Sequence, residues 1–498
     1  MLKRLSGIIE QLRGGSVTLP AASGRSPRQP FFSRLRAKYD AANTTLDNYK
    51  HWSRADGLSS ATANSPNVRR TLRNRSRYEV ANNSYARGIT LTLANDVVGT
   101  GPRLQMLTGD DGANHFVEAE FLAWCDAIGL AEKLRTMRLA RVADGEAFGL
   151  LTSNERIDSA VKLDLRLIEA DQVATPTLVP DTRRYLDGIR YDADGNPTAY
   201  DILRQHPGDG MFLVDDEFDT VPASDVLHYF RCDRPGQIRG IPDITPALPL
   251  FAQLRRFTLA VLAAAETAAE FAGILYTDAP ANGEADAAEP FEPIELEKRM
   301  LLTMPGGWKM AQMKSEQPST TYAEFKKEIL NEIARCLNMP FNVAAGNSSG
   351  YNYASGRLDH QTYFKSIRVE QTQLARVVLD RILKAWLREA ILIEGYLPNS
   401  LRTLDSTFEH QRFWDGHEHV DPAKEANAQK IRLASHTTTL AIEFARQGRD
   451  WETELKQRAK EIALMRDLGL TIESDETDSS SEPEVTEDHA EDAEQQPA

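Results

Sequence analysis

The 498-residue sequence has only three cysteines, and they are not arranged for chemistry. Cys125, Cys232 and Cys336 are far apart and form no CxxC pair. An odd number of scattered cysteines excludes a disulfide framework and a zinc site built on paired thiols, and it predicts buried free thiols in a reducing compartment. We therefore expect a protein of the cytoplasm, or one assembled there.

Catalytic motifs are also missing. The glycine-rich segment GTGPRLQM at 99–106 lacks the GK[ST] of a P-loop, and the chain has no GxSxG elbow and no HExxH. In HEHVD at 417–421, His417, His419 and Asp421 match the start of an HxHxDH metal motif, but a proline replaces the closing histidine. An Asp-Pro pair suits a helix start better. We expect no enzyme activity, no metal and no cofactor; a metal-dependent hydrolase stays as the weaker alternative.

No segment is a convincing signal peptide, because the first fifteen residues lack a long apolar stretch and a small-residue cleavage pattern. The most apolar run, 257–276, is long enough to span a bilayer. It is mostly alanine, however, and it contains Glu266 and Glu270. We therefore predict a packed helix with small faces that let neighbouring helices approach, and no membrane partner.

The net charge of −15 is unevenly placed. Residues 1–87 hold 16 Lys/Arg against 5 Asp/Glu, whereas 473–498 hold 11 acids and no Lys or Arg. The basic start suggests contact with nucleic acid or an acidic protein surface, although solvated arginines are the commoner explanation. The acidic middle argues against a high-affinity DNA groove, because phosphate neutralisation needs clustered cations. We expect disordered arms at 1–34 and 471–498.

Helical and strand patterns fill the rest of a chain that is too long for one core. An arginine-rich helix is expected to break at Asn82 and Asn83 and to end at Val98. Its basic face is either solvated or in contact with a neighbouring subunit; it carries Arg69, Arg70, Arg73, Arg77 and Arg87. Further helices are predicted at 116–128, 131–148, 245–275, 294–299, 323–337 and 357–394, then from 421 to a break at Gly448 and from 450 to 470. Strands are predicted at 161–170, 189–191, 200–202, 226–230, 301–304 and 308–313.

An uncharged segment, 341–356, separates two of these helices and is rich in Gly, Ser, Asn, Ala and Tyr. Pro340 cannot continue the preceding helix, and Ser355 suits the cap of the next one. A loop of this length in a compact domain is usually functional or disordered. It is either a mobile surface connection or a loop that projects into a shared opening and touches something without binding it tightly.

Eleven stretches, in order, resemble the lambda-type portal proteins of tailed bacteriophages. They cover roughly residues 35–470. They are YDAA at 39–42, the arginine-rich segment 67–88 leading into NDVVGTGPRLQ, ADGEAF at 143–148, LIEADQV, GIRYDADGNPTAYDI, VPASDVLHYFRCDRPGQIRGIP, the alanine-rich helix, PGG at 305–307, IARCLNMPFNVAAG, YNYASGR and DPAKEANA.

The resemblance implies an α+β, mostly helical portal fold that assembles as a dodecameric ring at one capsid vertex. Double-stranded DNA would be packaged through the ring by the terminase and later ejected, and the ring would connect head and tail. The implied regions are a wing at 35–244 and 357–420, stem helices at 245–275 and 321–340, a clip at 276–320, a tunnel loop at 341–356 and a crown at 421–470.

The same resemblance implies site residues and partners. Glu266 and Glu270 would line the channel, and the tunnel loop would face DNA through Asn347, Ser348, Ser349, Tyr351, Asn352 and Tyr353. The partners would be further copies of the chain, the terminase large subunit, the major capsid protein with its scaffold or protease, a head-tail connector protein, and DNA contacted without sequence preference. The location would be the virion, after assembly in the host cytoplasm. A virion scaffold or adaptor without a pore is the other alternative.

Overall fold

A computed structural model of the protein describes residues 49–176, 181–182, 184–209, 217–270, 274–277, 308–311, 320–350, 352–402, 408–416 and 422–470. The chain divides into two units, Met1–Leu58 and Ser59–Ala498. In the first unit the described residues, 49–58, form turns and backbone that is neither helix nor strand. The helices and strands of the described residues belong to the second unit.

The second unit opens with a series of helices. They are α1 (Ser60–Ala63), α2 (Pro66–Asn82), α3 (Ser84–Val98), α4 (Asp111–Ala127) and α5 (Leu130–Asp144). The predicted break between α2 and α3 is confirmed, because the Asn83 side chain accepts hydrogen bonds from the backbone N–H groups of Tyr85 and Ala86 at 3.0 and 3.3 Å. Pro66 occupies the first turn of α2.

The prediction that α5 continues to Phe148 is wrong. The helix ends at Asp144, and Gly145 has a φ of +93°, which favours glycine. A Cβ atom at this position would lie 2.3 Å from the carbonyl carbon of Ile241, so the chain turns here beneath another backbone segment. Residues 146–148 start strand β2 instead.

Two antiparallel sheets follow. In the three-stranded sheet, β2 (Glu146–Ser153) lies between β3 (Leu163–Ile168) and β8 (Val226–Phe230). The four-stranded sheet is a meander, and its strands are β4 (Tyr185–Leu186), β5 (Ile189–Tyr191), β6 (Pro197–Leu203) and β7 (Phe218–Pro222). The strands predicted within 161–170, 189–202 and 226–230 are confirmed. β1 (Arg103–Met106) pairs with β11 (His410–Phe413) far along the chain.

Two long helices lead to and from a small β ribbon. α6 (Leu248–Glu270) precedes β9 (Ile274–Thr277), and β10 (Trp308–Ala311) precedes α7 (Thr320–Arg335). The prediction that the first helix extends to residue 275 is wrong, because Leu275 pairs with Met310 in the ribbon. The second helix stops at Arg335, short of the predicted end at 337. The predicted helix at 294–299 and strand at 301–304 lie outside the described residues.

A long helix runs through the second half of the chain. It consists of α9 (Tyr353–Leu374), a π-helical turn at Ala375–Leu379 and α10 (Asp380–Leu392). The helix predicted at 357–394 is thus confirmed, and the apolar residues on its inner side are buried throughout: Tyr363, Ile367, Leu374, Val378, Ile382 and Trp386.

The chain continues with α11 (Pro422–Ala434), α12 (Leu440–Arg446) and α13 (Trp451–Asp467). The predicted single helix from 421 to Gly448 is wrong, because the chain breaks after Ala434 and Thr439 caps α12 by accepting a bond from the Ile442 N–H at 3.2 Å. The predicted helix start at 450 is confirmed, because Asp450 caps α13 by accepting a bond from the Thr453 N–H at 3.1 Å.

The described residues form two apolar cores. The larger lies among α3, α4, α5, α9 and α10 and contains Trp124 and Trp386. The smaller lies between the two sheets, around Phe148, Tyr200 and Ile202. Charged side chains are buried as well, among them Arg138, Glu146, Arg239 and Asp243.

Candidate functional site

The segment predicted as a sixteen-residue loop is shorter in the structure. Pro340 does not end regular structure, because it caps a short helix, α8 (Phe341–Ala345). That helix ends at Gly346, whose φ is +61°, and α9 begins two residues before the expected Ser355. The loop itself is 346–352.

Local hydrogen bonds close this loop. The Asn347 side-chain Oδ1 accepts from the N–H and the hydroxyl of Ser349 at 2.9 and 2.7 Å. At its base, Asn342 Nδ2 and His360 Nε2 lie 2.9 Å apart and join α8 to α9. Residues 347, 348, 349 and 352 are exposed, as the tunnel-loop hypothesis requires. Tyr351 lies outside the described residues, and Tyr353 is the first residue of α9.

The two predicted stem helices pack against each other at their base. Leu248, Phe251 and Leu254 of α6 are buried, as are Leu330 and Ile333 of α7. Further along, the contact becomes aromatic: the ring of Phe257 lies 5.6 Å from that of Tyr322 and 5.0 Å from that of Phe325. The pair is therefore one structural unit rooted in the larger core.

Away from the base, α6 presents apolar side chains to the outside. Leu259 is 59% exposed and Leu262 is 55% exposed. Within the described residues one helix, Thr245–Glu266, is long and apolar enough to cross a membrane by length and composition alone, and 22% of that window is buried. Within a single chain, the prediction of a packed helix therefore holds for the base of α6 and not for its outer part.

The acidic residues of the stem lie on both helices. Glu266 is exposed on α6, and Glu270 is its last residue. On α7, Glu324, Glu328 and Glu332 recur every four residues, so they share one face, and all three are exposed. The sequence predictions did not include this second acidic row. Its signal is the same four-residue spacing as that of the apolar residues that predict the helix.

A buried charge cluster joins the two sheets. The Glu146 carboxylate accepts from Arg239 Nε at 2.9 Å and Nη2 at 2.7 Å, and from the Gly240 N–H at 3.1 Å. Arg239 Nη1 donates to Asp187 Oδ2 at 2.6 Å, and Arg69 also binds that carboxylate. The sequence motifs around Glu146 and Arg239 indicate only a family resemblance and do not predict this contact.

His228 completes the cluster. Its ring is stacked between those of Phe148 and Phe230, with centroids 4.3 and 4.4 Å away, and its Nε2 lies 3.0 Å from Glu146. Burial lowers the pKa of His228, so the ring is neutral at neutral pH. Burial alone would raise the pKa of Glu146, but Arg239 and His228 outweigh it and hold that pKa well below its usual value. The stacking and the contact with Glu146 give His228 a structural role in β8.

A second cluster connects α5, the segment before α6, and α9. Arg138 Nη1 donates to Asp243 at 3.1 Å, and its Nη2 donates to Glu370 at the same distance. Arg141 donates to the Tyr229 hydroxyl at 2.7 Å, and that hydroxyl donates to Glu370 at 3.1 Å. The long helix is thereby fixed to the start of the stem.

The basic face of α2 is used inside the chain. Arg73 binds Asp171 at 3.3 Å, and Arg77 binds Asp144, Asp171 and Glu169 at 2.6, 2.9 and 3.1 Å. Together with Arg69, these residues fit neither a solvated face nor an inter-subunit contact, so that part of the prediction is wrong. Arg70 and Arg87 are exposed and stay compatible with either interpretation.

One group of described side chains has a geometry that could hold a metal ion: Glu169, Asp171 and His206. Arg77 already places a guanidinium beside both carboxylates, which a cation would have to displace. We therefore assign it as an ion-pair cluster. The sequence candidates His417, His419 and Asp421 lie outside the described residues.

The three cysteines are free, as predicted. Burial raises the pKa of Cys125 to about 12 and that of Cys336 to about 11, which makes both thiols unreactive at neutral pH. Cys232 is exposed, so the prediction of burial is wrong for that residue, and Cys125 and Cys336 are half-buried.

Comparison with known families identifies the class. Residues 50–371 match the family model described as "Phage portal protein, lambda family". Because the match covers well over half of the sequence, the chain belongs to the lambda family of phage portal proteins. The predicted family, fold class and portal function are confirmed. Portal proteins are a structural class of the phage virion rather than a catalytic one.

A curated relative and two solved structures are similar to the chain. The "Probable portal protein" of Halomonas phage phiHAP-1 is 26% identical over 427 residues, which are 80% of this chain and 81% of the relative. The neck of a native GTA particle computed with C12 symmetry gives a TM-score of 0.43 at 15% identity and covers 73% of this chain and 88% of that one. The neck of an empty GTA particle computed with C6 symmetry gives a TM-score of 0.42 at 15% identity and covers 76% of this chain and 93% of that one. The assignment depends on the family match alone, since such low TM-scores add nothing to it.

Proposed function

We propose that twelve copies of the chain close into a ring at one capsid vertex, and that the ring is the channel for packaging and ejection of double-stranded DNA. The terminase would dock at the clip, the head-tail connector would join the same assembly, and the capsid protein would surround the wing. Twelve is the number that the family resemblance implies.

One observation carries the proposal. The outer part of α6 exposes leucine and alanine, although its base is firmly buried. Burial of an exposed leucine contributes roughly 1 kcal/mol for about half of its surface. In a portal protein, neighbouring stem helices are the natural cover for this surface, and alanine at 260, 263 and 264 lets them approach closely. A ring would thus bury the leucine and alanine side chains that a single chain exposes to water.

The acids of the stem and the uncharged loop support a sliding channel. Exposed glutamates on α6 and α7 repel phosphates, and a loop of asparagine and serine can touch a duplex without the salt-dependent grip of lysine. The loop 346–352 is short and closed by its own hydrogen bonds, so it would keep its shape while DNA passes.

Native mass spectrometry of a stem variant tests the ring. We expect Leu259→Asp with Leu262→Asp to lower the ring fraction strongly, since each interface would bury an unpaired carboxylate. Leu107→Asp with Leu392→Asp is the matched control, because both leucines are exposed outside the stem, at 42% and 79%. Full ring formation in the stem variant would contradict the proposal.

The loop has its own test. Deleting 347–352 should lower packaging or DNA retention while rings still form. Normal packaging by the deletion variant would make the loop a plain connection between α8 and α9.

A further inference from the structure

A row of exposed cations follows the outer face of the long helix α9 and its π-helical turn. We name it the basic stripe; it consists of Arg357, Lys365, Arg368 and Arg376. With Gln361 and Thr372 between them, these positions recur every three or four residues, so they share one side of the helix. All six are exposed. At 1.5 Å per residue the stripe is about 28 Å long.

These cations differ from the buried arginines of α2 and α5, such as Arg73 and Arg138, which are bound to carboxylates. On the inner side of the same helix, Glu370 binds Arg138 and Arg141. Within the described parts of the chain, no carboxylate lies at ion-pair distance from any cation of the stripe; Arg368 Nε donates instead to the Phe364 backbone oxygen at 3.3 Å. Asp359 does not compensate the stripe, because residues two apart on a helix do not share a face.

We propose that the basic stripe binds the sugar–phosphate backbone of duplex DNA. The stripe starts five residues after the end of the loop 346–352, so DNA that touches the loop is near Arg357. The four cations lie 8, 3 and 8 residues apart, and uncharged polar residues, Gln361 and Thr372, occupy the two wider gaps. A row of cations along one helix side suits a polymer that carries one charge per nucleotide. The choice of DNA as the polyanion rests on the proposed function. The stripe adds to that function an electrostatic grip that the acidic stem does not supply.

Two other occupants compete with DNA. Leu358 and Val369, each 66% exposed, flank the stripe, so a second copy of the chain could cover it. The segment 471–498, which carries 11 acids within 473–498, is the other. The core of a subunit interface is depleted of charged residues, whereas the centre of the stripe is charged and polar. DNA is therefore the favoured occupant.

The test measures binding of a fluorescently labelled duplex of arbitrary sequence to the full-length protein over a series of salt concentrations. The variant replaces all four cations of the stripe with glutamine. The control variant replaces four exposed cations of the C-terminal helices with glutamine, so that both variants have the same net charge; these are Lys430, Arg458, Lys460 and Arg466.

We expect the stripe variant to bind at least tenfold more weakly at low salt. Its plot of log affinity against log salt should be flatter by about 0.9 for each phosphate that the variant no longer neutralises. The control variant should keep the wild-type slope. The pairs R357Q/K365Q and R368Q/R376Q should each lose part of the slope, which keeps the test available if the fourfold variant does not fold.

Three results would overturn the inference. The first is an equal slope for the stripe and control variants. The second is loss of rings in the stripe variant alone, seen by electron microscopy, which would assign the stripe to an interface between copies. The third is tight DNA binding that depends on the stripe only after deletion of 471–498, which would assign the stripe to that segment in the intact protein. Ring images of the wild type report separately on the proposed function.

Discussion

Replacement of Arg239 by alanine should destabilise the two-sheet region more than any surface change. Arg239 and Glu146 are both buried, and the substitution removes the guanidinium that binds both oxygens of that carboxylate and one of Asp187. Among the described residues, the Gly240 N–H and His228 would be the remaining hydrogen-bond partners of the Glu146 carboxylate. Removing one partner of a buried pair typically costs about 3–5 kcal/mol, because the other charge stays buried.

Hydrogen exchange of the β2 and β8 amides, followed by mass spectrometry, is the suitable assay, because it reports local stability in a chain with several structural regions. A loss of about 3–5 kcal/mol corresponds to exchange that is faster by roughly a hundredfold to a few thousandfold. The exposed Arg388→Ala variant is the control and should exchange like the wild type.

A double variant, R239M/E146L, separates loss of the charge pair from loss of packing. Removing both charges should restore most of the protection, since a buried pair replaced by apolar groups is often neutral for stability. If Arg239→Ala exchanges no faster than Arg388→Ala, the reasoning about the buried cluster is refuted.

Three other changes test the turn, the buried histidine and the stem. Gly145→Ala should destabilise the protein by several kcal/mol, because residue 145 has a φ of +93° and its new Cβ would lie 2.3 Å from the carbonyl carbon of Ile241. Thermal unfolding measures this loss, and an unchanged unfolding temperature would contradict the geometry. The free energy of unfolding should fall as the pH drops below about 6.5, because the unfolded chain then binds a proton that buried His228 in the folded chain does not. His228→Gln should flatten this part of the stability profile against pH, and a variant profile identical to that of the wild type would refute the assignment. Glu266→Lys with Glu270→Lys should reduce packaging or ejection several-fold while rings still form, because cations would hold DNA in the channel; wild-type packaging would contradict the sliding argument.

Local signals are sufficient for much of the fold. The paired asparagines at 82 and 83 predict the end of one helix and the start of the next, and the structure shows the side chain of Asn83 capping the second one. The buried side of the long helix follows from its apolar spacing. In both cases the residues that determine the structure are within a few positions of each other, so the sequence alone is sufficient to predict these two features.

The errors occur where distant residues decide. Leu275 suits a helix locally, but its strand partner is Met310. Phe148 also suits a helix, but the chain turns at Gly145 beneath Ile241. Pro340 predicts a stop, yet a proline before a helix serves equally well as its first cap, and the sequence alone does not decide between these roles.

The candidate site is predicted unevenly. The exposure of the loop and of Glu266 agrees with the hypotheses, whereas the acidic row on α7 and the basic stripe are not among the sequence predictions. The pairing of Glu146 with Arg239 has no sequence signal beyond charged residues in otherwise apolar surroundings, since 93 residues separate the partners.

Electron cryomicroscopy of the purified full-length protein tests the central claim most directly. We expect closed rings of twelve with a hole wide enough for a DNA duplex, Leu259 and Leu262 covered by the neighbouring copy, and Glu266 at the wall of the hole. Closed assemblies without a central hole, or rings with Glu266 on their outer surface, would contradict it.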